Sequence, residues 1–450
     1  MTETLNWFFK GILITGCFLS VLFVIYSFTE NEKRAALKML PVVFVMGLLF
    51  VFSFYITFSF PFLLFVSVLV LLFVLFIFIP FENRDIKFVI SAEKFDERDV
   101  MFSRMELEEG TQRFEEYYSK QPQNKAPDDA FRLEPGLLQP GAKYYHPFLF
   151  EAANATFSTV NLLQPLVEGQ PAEKLSETIS ETQISAFIKN WALKLGAHSI
   201  GFTNLQPHHI YSFGGRGNRY GQPIKLNHKF AVVFTVEMDR AFIQCAPQGP
   251  VIMESAKQYL NAGQIGIQLA QFIRNLGHEA RAHIDANYQV ICPLVAQDGG
   301  LGTIGRMGLL MTPKLGPRVR IGVVTTNLQF KVSSKSYNPS VLQFCASCKK
   351  CAINCPSQAI SFQTEKTENG WKPWKINHEK CFTYWTKTGT DCGRCIAVCP
   401  FSHPNNKMHN LVRKFIHYNS FNRWIAIHLD NFFYGKKPVG KRLKFWMELN

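Results

Sequence analysis

At 450 residues with a formal net charge of +14, the chain has room for two or three folded units, and its charge is spread unevenly: the opening third of the chain begins mostly apolar, while the C-terminal end is basic and aromatic. Eleven cysteines are present, eight of them between Cys345 and Cys399, and the other three, Cys17, Cys245 and Cys292, lie far apart in apolar surroundings. This spacing excludes a small disulfide-stapled scaffold and suits a reducing compartment.

Gly11 to Phe28 is an uncharged apolar run, and a second extends from Met39 to Phe81 with Pro61 near its middle. About twenty residues cross a bilayer, so three membrane helices are predicted, the last two joined by a tight turn at Ser59-Phe60-Pro61. No small-residue cleavage site follows the first run and no twin-arginine pair precedes it, which argues against a cleaved signal. Lys33, Arg34 and Lys38 place the first loop in the cytoplasm, and three crossings bring the chain after Phe81 out on that side too. Residues 1–82 are therefore read as the transmembrane anchor of a multi-pass inner (cytoplasmic) membrane protein facing the cytoplasm; a buried soluble hairpin is the alternative.

Residues 83–147 turn charged and are punctuated by Pro122, Pro127, Pro135 and Pro140, which predicts a linker and a strap lying on the next domain. A globular rhythm follows over 148–340. Ile184, Ile188, Trp191 and Leu195 recur at helical spacing and stop at Gly196; one long helix, or two abutting ones, is predicted from Pro250 to Gly277. Runs of strand type occur at Ser199 to Phe202, Phe230 to Val236, Tyr288 to Pro293 and Val319 to Thr325. Helices interleaved with strands around one core give an α+β fold class.

Over 341–404 the cysteines read Cys345-x2-Cys348-x2-Cys351-x3-Cys355-Pro356 and, later, Cys392-x2-Cys395-x3-Cys399-Pro400, with Cys381 between them. Three thiolates at this spacing wrap one 4Fe-4S cube while the fourth, before proline, serves its neighbour. Two clusters in a ferredoxin-like domain are predicted: Cys345, Cys348, Cys351 and Cys399 on one, and Cys355, Cys381, Cys392 and Cys395 on the other. Structural zinc sites use paired CxxC or histidines instead. Residues 405–450 read as basic aromatic helices. In a chain anchored in a bilayer these suit anionic head groups better than nucleic acid, and no nucleic-acid partner is expected; packing on the preceding domain is the alternative.

Immediately upstream of the cysteines stands Gly305-Arg306-Met307-Gly308-Leu309-Leu310-Met311-Thr312-Pro313, continuing to Gly316-Pro317-Arg318-Val319-Arg320. This stretch resembles the signature of the corrinoid-dependent reductive dehalogenases, which are related in fold to epoxyqueuosine reductase. The similarity runs over roughly residues 180 to 405 through weaker landmarks such as Leu195-Gly196-Ala197, Glu237-Met238-Asp239 and Phe272-Ile273-Arg274-Asn275-Leu276-Gly277. The resemblance implies a nitroreductase-like domain that binds cobalamin, fed by two 4Fe-4S clusters and acting on an organohalide. No Asp-x-His-x-x-Gly occurs, so a lower histidine ligand to cobalt of that kind is not expected. Gly299, Gly300, Gly302 and Gly305 are where the backbone would approach the corrinoid. Tyr259 matches the family's proton donor, with Ser255 one turn earlier, Arg318 as the cation beside it, Arg320 as the fallback on the same strand face, and Asn287 as a third pocket residue. His278 and His283 are read as ordinary histidines, and His403, just after Cys399-Pro400, as lining a cluster. A membrane electron-transfer subunit and a corrinoid reductase of a non-halogenated substrate remain the competing functions, and the electron donor is left open.

Overall fold

The structure, a computed structural model, describes residues 2–55, 59–80, 93–173, 180–334, 338–364, 366–367, 370–371 and 373–448. It divides into two compact units, Met1–Arg84 with Pro404–Pro438, and Asp85–His403 with Val439–Asn450. The first unit opens with helices α1 (Thr2–Thr29), α2 (Lys33–Phe52) and α3 (Phe60–Phe78). All three are long and apolar enough to cross a membrane. Helix α1 starts earlier than its apolar run because nothing from Thr2 to Lys10 breaks a helix. Pro61 opens α3 instead of sitting inside a turn, since its missing N–H is one the first helical turn leaves unpaired anyway.

In the second unit, α4 (Pro147–Leu162) and α5 (Glu181–Lys194) precede strands β1 (Ser199–Asn204) and β2 (Phe230–Glu237). The long helix α6 (Pro250–Asn275) leads to β3 (Ala280–His283), the short α7 (Cys292–Asp298) and β4 (Val319–Thr326). The strands form one antiparallel sheet in the order β1-β2-β4-β3, with Val236 opposite Arg320 and Ala282 opposite Val324. Alternation along β2 sends Val232, Phe234 and Val236 to a core shared with Ile265, Leu269 and Ile273 of α6. Ala231 and Val233 face a second core with Val295 and Ala296 of α7. Gly322 stands where any Cβ would strike the ring of Phe234. The sheet thus lies between two helical layers, and the α+β expectation holds.

One predicted strand does not form. From Tyr288 to Pro293 the chain makes a single bridge, Val290 with Ile210, and then enters α7. Pro293 has no N–H for a ladder yet suits the first turn of a helix. Strand β3, which replaces it in the sheet, went unpredicted because it is only four residues long.

Short helices at Met101–Met105, Gln112–Lys120 and Lys125–Arg132 fill the predicted strap. Their fixed point is Arg104, buried and bonded to Asp128 at 2.5 Å and to Glu379 at 2.8 Å. Backbone bonds from Gly136, Leu138 and Tyr144 to Thr386, Gly389 and Thr388 continue the attachment. The strap therefore seats on α9 (His378–Thr388), the helix that carries Cys381, while α8 (Pro339–Cys348) carries Cys345 and Cys348. The expected boundary at 82/83 lies outside the described residues.

The expected C-terminal segment is divided. Helices α10 (Lys407–Phe415) and α11 (Ser420–Tyr434) fall in the unit of α1–α3, whereas the chain from Val439 returns to the second unit. There Lys441 N–H donates to the Gln244 carbonyl at 2.8 Å and Trp446 packs on Phe242.

Candidate active site

Ser255 and Tyr259 stand one turn apart on the same face of α6. Arg320, the second residue of β4, lays its guanidinium over the Tyr259 ring, 4.6 Å from the ring centre. One of its nitrogens donates to Ser255 Oγ at 2.6 Å and to Asp391 Oδ2 at 2.9 Å, and the Ser255 hydroxyl in turn donates to Asp391. Asp391 immediately precedes Cys392. A cation stacked on a phenol and tied to a carboxylate is thereby joined through one peptide bond to a cysteine of the second set.

Arg318 is elsewhere. It donates to Glu237 Oε1 at 2.7 Å and to the Met238 carbonyl, at the start of the strand. Strand neighbours two apart share a face but sit about 6.6 Å apart along it, so only one reaches the ring. The cation beside Tyr259 is Arg320 and not Arg318. Asn287 accepts from Arg281 at 2.5 Å through its side-chain oxygen, which engages it with the sheet. Its neighbours Asp285 and Tyr288 lie within electrostatic reach of Tyr259 and Arg320.

The Arg320 charge pulls the Tyr259 phenol down, but burial together with Asp285, Asp391 and Cys292 outweighs it and the net direction is upward. Tyr259 is accordingly protonated at neutral pH and available as an acid. Burial also raises the Asp285 carboxyl, against Arg216 and Arg320, and pushes the Cys292 thiol up to about 12. Two buried polar atoms beside Tyr259, Arg320 Nε and Asp391 Oδ1, have no protein partner. Buried polar atoms normally find one, so these two fit a polar ligand.

The eight cysteines fall into two groups. Cys399 lies within electrostatic reach of Cys345, Cys348 and Cys351, and all four line one pocket with Met307, Phe344 and Phe401. Cys395 is similarly close to Cys355, Cys381 and Cys392, and also to Cys351 of the other group. Left-handed backbone at Lys349, and at Cys392 and Gly393, turns each run back on itself so that its thiols converge. Four thiols per group match the donor set of a 4Fe-4S cube. The group containing Cys392 is the one beside the Tyr259 recess.

The loop glycines have a role within the protein. A Cβ at Gly299 would meet Val233, one at Gly302 the Met311 carbonyl, and one at Gly305 the Met311 side chain, with Cys345 Sγ at 3.4 Å. Gly300 has φ +79°. The space that these residues leave at Gly299, Gly302 and Gly305 is filled by the chain's own atoms.

Arg306, in the same motif, was not singled out for a role by the sequence. It is fully buried and donates to the carbonyls of Cys345 at 2.9 Å, Ser361 at 2.7 Å, Gln363 at 3.1 Å and Ala346 at 3.3 Å, with Trp374 beneath it. It fixes α8 and holds a positive charge beside the first cysteine group. Asp391 was missed too, although a carboxylate next to a cluster cysteine is a readable signal. His283 is an ordinary satisfied histidine, bonded to Thr325 and to the Gln289 N–H. His208, His209 and Asp298 lie together, with His209 Nε2 3.4 Å from Asp298 Oδ2 and His209 Nδ1 accepting the Gln206 N–H.

Residues 344–403 match the family model of a 4Fe-4S dicluster domain. The chain is 34% identical over 207 residues to the tetrachloroethene reductive dehalogenase of Sulfurospirillum multivorans, covering 44% of this chain and 41% of that protein. It is 32% identical over 155 residues to the epoxyqueuosine reductase of Francisella cf. novicida, covering 30% of this chain and 39% of that protein. A solved reductive dehalogenase, described in connection with a mechanism for B12-dependent dehalogenation, superposes with a TM-score of 0.57 at 26% identity, covering 63% of this chain and 42% of that one. The chain spans about two fifths of the length of these relatives. In sequence and in structure it is related to the corrinoid-dependent reductive dehalogenases.

Proposed function

We propose that the chain is a membrane-anchored reductive dehalogenase, its second unit on the cytoplasmic side, that replaces a carbon–halogen bond by carbon–hydrogen at a cobalt corrinoid. The observation that carries this reading is the Tyr259–Arg320–Asp391 chain, which runs from a proton donor to the residue before Cys392. The overall change takes two electrons and one proton and releases halide. A bound corrinoid would supply the reduction of the carbon–halogen bond, drawing on the two 4Fe-4S clusters.

The residues of this chain would do the rest. The walls of the recess, α6, the 285–288 turn and the start of β4, would hold the corrinoid by packing and by the two partnerless polar atoms. Tyr259 gives its proton to the carbon that loses halide. A free phenol is a slow acid and burial here raises it further; Arg320 is the largest single influence in the other direction, stabilising the phenolate left behind. Arginine stays charged throughout and is also suited to holding the departing halide. Asp391 and Ser255 fix Arg320 over the ring, so their role is positioning.

The test is anaerobic incubation of purified, corrinoid-loaded protein with a low-potential reductant and a panel of bromo- and chlorophenols, scored by halide release. Stoichiometric halide supports the reading. Bound corrinoid without halide from any member would point instead to a non-halogenated substrate, in keeping with the epoxyqueuosine reductase relatives. Protein that takes up iron but no corrinoid would be an electron-transfer subunit.

A further inference from the structure

Helices α10 and α11 are built inside out. In a water-soluble helix the apolar stripe is buried and the polar residues face outward. Along α11 the buried residues include Asn422, Arg423 and Asp430, while Trp424, Leu429 and Phe432 are 55%, 49% and 47% exposed. Helix α10 repeats the pattern: Arg413 is buried against the Pro404 carbonyl and Asn410, while its neighbours Leu411 and Val412 are 66% and 49% exposed. Two consecutive helices that turn their apolar residues outward are solvated by something other than water.

Their attachment shows where they stand. The Asn419 side chain donates to the carbonyls of Phe76, Ile77 and Ile79, and Asn422 donates to Ile77, so the open end of α3 is capped from α11. Phe421 packs edge-on against Phe73 and Phe76, and Tyr418 against Phe78. At the other contact, Glu30 in the α1–α2 turn accepts from Asn406 and pairs with His409 at 3.1 Å. The α1–α2 turn and the end of α3 lie at the same end of a three-helix bundle, and α10 and α11 bind both. Lys38 covers the Phe432 ring, and Lys407 and Lys414 of α10 and Lys436 and Lys437 just after α11 are exposed.

We propose that α10 and α11 form a lipid-facing collar, lying in the leaflet from which α3 emerges, with their apolar face at the acyl boundary and their lysines among anionic head groups. The occupant of this face is lipid. Exposed apolar residues accompanied by exposed lysines match the boundary between acyl chains and anionic head groups. The proposal rests on the reading of α1–α3 as membrane helices and adds a second, non-spanning membrane element at the far end of the sequence. It also requires that residues 404–438 share one membrane face with Glu30.

The full chain in nanodiscs of mixed phosphatidylglycerol and phosphatidylcholine provides the test. The photoreactive amino acid p-benzoylphenylalanine is placed singly at Leu411, Leu429 or, within α3, Leu71. These side chains point outward, so the substitutions leave the packing intact. Irradiation is expected to give phospholipid adducts at all three sites, enriched in phosphatidylglycerol at Leu411 and Leu429. Adducts at Leu71 but none at the other two would overturn the collar and leave the anchor standing; absence of lipid at Leu71 as well would remove the anchor itself. Crosslinks from Leu429 to a second copy of the chain would assign the face to self-association and equally overturn the proposal.

Discussion

Helices α6 and α11 solve opposite problems with the same backbone. Helix α6 buries Ile265, Leu269 and Ile273 against a sheet and sets Ser255 and Tyr259 against Arg320. Helix α11 buries Asn422 and Arg423 and turns Trp424 and Phe432 outward. The difference teaches that an amphipathic stripe reports which residues share a face, whereas the contacts of the polar residues report which face meets solvent.

The comparison breaks most visibly at the cysteines. Cys392→Ser removes a ligand from the group beside the recess and is expected to lose that cluster and essentially all turnover; Cys399→Ser should lose the other cluster. Iron analysis and EPR of the two variants would show one missing cluster each, with the membrane unit still extracted as folded protein. Loss of the same signal in both variants would contradict the grouping.

Next in size is the proton donor. Tyr259→Phe keeps the ring under Arg320 and removes only the hydroxyl, so turnover should fall by roughly 10²- to 10⁴-fold with cluster content unchanged. Arg320→Gln should do the same, while Arg318→Gln should lower thermal stability and leave turnover per folded molecule near that of the parent, because Arg318 pairs with Glu237 away from the ring. The reverse ranking of the two arginines would return the role to Arg318.

In the membrane unit Asn419→Ala removes the side-chain donor to the Ile79 carbonyl and one of two donors to each of Phe76 and Ile77, which keep the Ile79 N–H and Asn422. A cost of about 1–3 kcal/mol to this unit is expected, read as a lower midpoint of detergent-induced unfolding, with iron content untouched. The smallest effect concerns His283, which burial holds neutral, well below its usual pKa of 6.5. The unfolded chain takes up a proton there that the folded one refuses, so this histidine's contribution to stability is present above pH 6.5 and declines as pH falls below it. A melting temperature of the second unit that rises on acidification from pH 7.5 to 5.5 would contradict this sign.

Much of this was legible in the residues. The cysteine spacing is a local code, and the apolar runs of α1–α3 and the periodicity of α6 are strong signals over many residues. Tyr259 was readable only through the resemblance to the reductive dehalogenases, and helical spacing then put Ser255 on its face. The choice between Arg318 and Arg320 was not, since two residues two apart at the start of a strand share a face and only depth along it separates them. Asp391 reaches the recess through the left-handed turn at Cys392, and a backbone turn of that kind is not announced by its neighbours. Tyr288 to Pro293 misled because its composition suits a strand while Pro293 favours the first turn of α7.

The most direct test of the central claim is cofactor analysis of the full chain after anaerobic reconstitution with iron, sulfide and cobalamin. Two 4Fe-4S clusters and one corrinoid per chain are predicted, with a cobalt(II) EPR signal that broadens when the cluster ligated by Cys392 is reduced. Two clusters with no bound corrinoid, or a cobalt signal indifferent to the state of that cluster, would contradict the account.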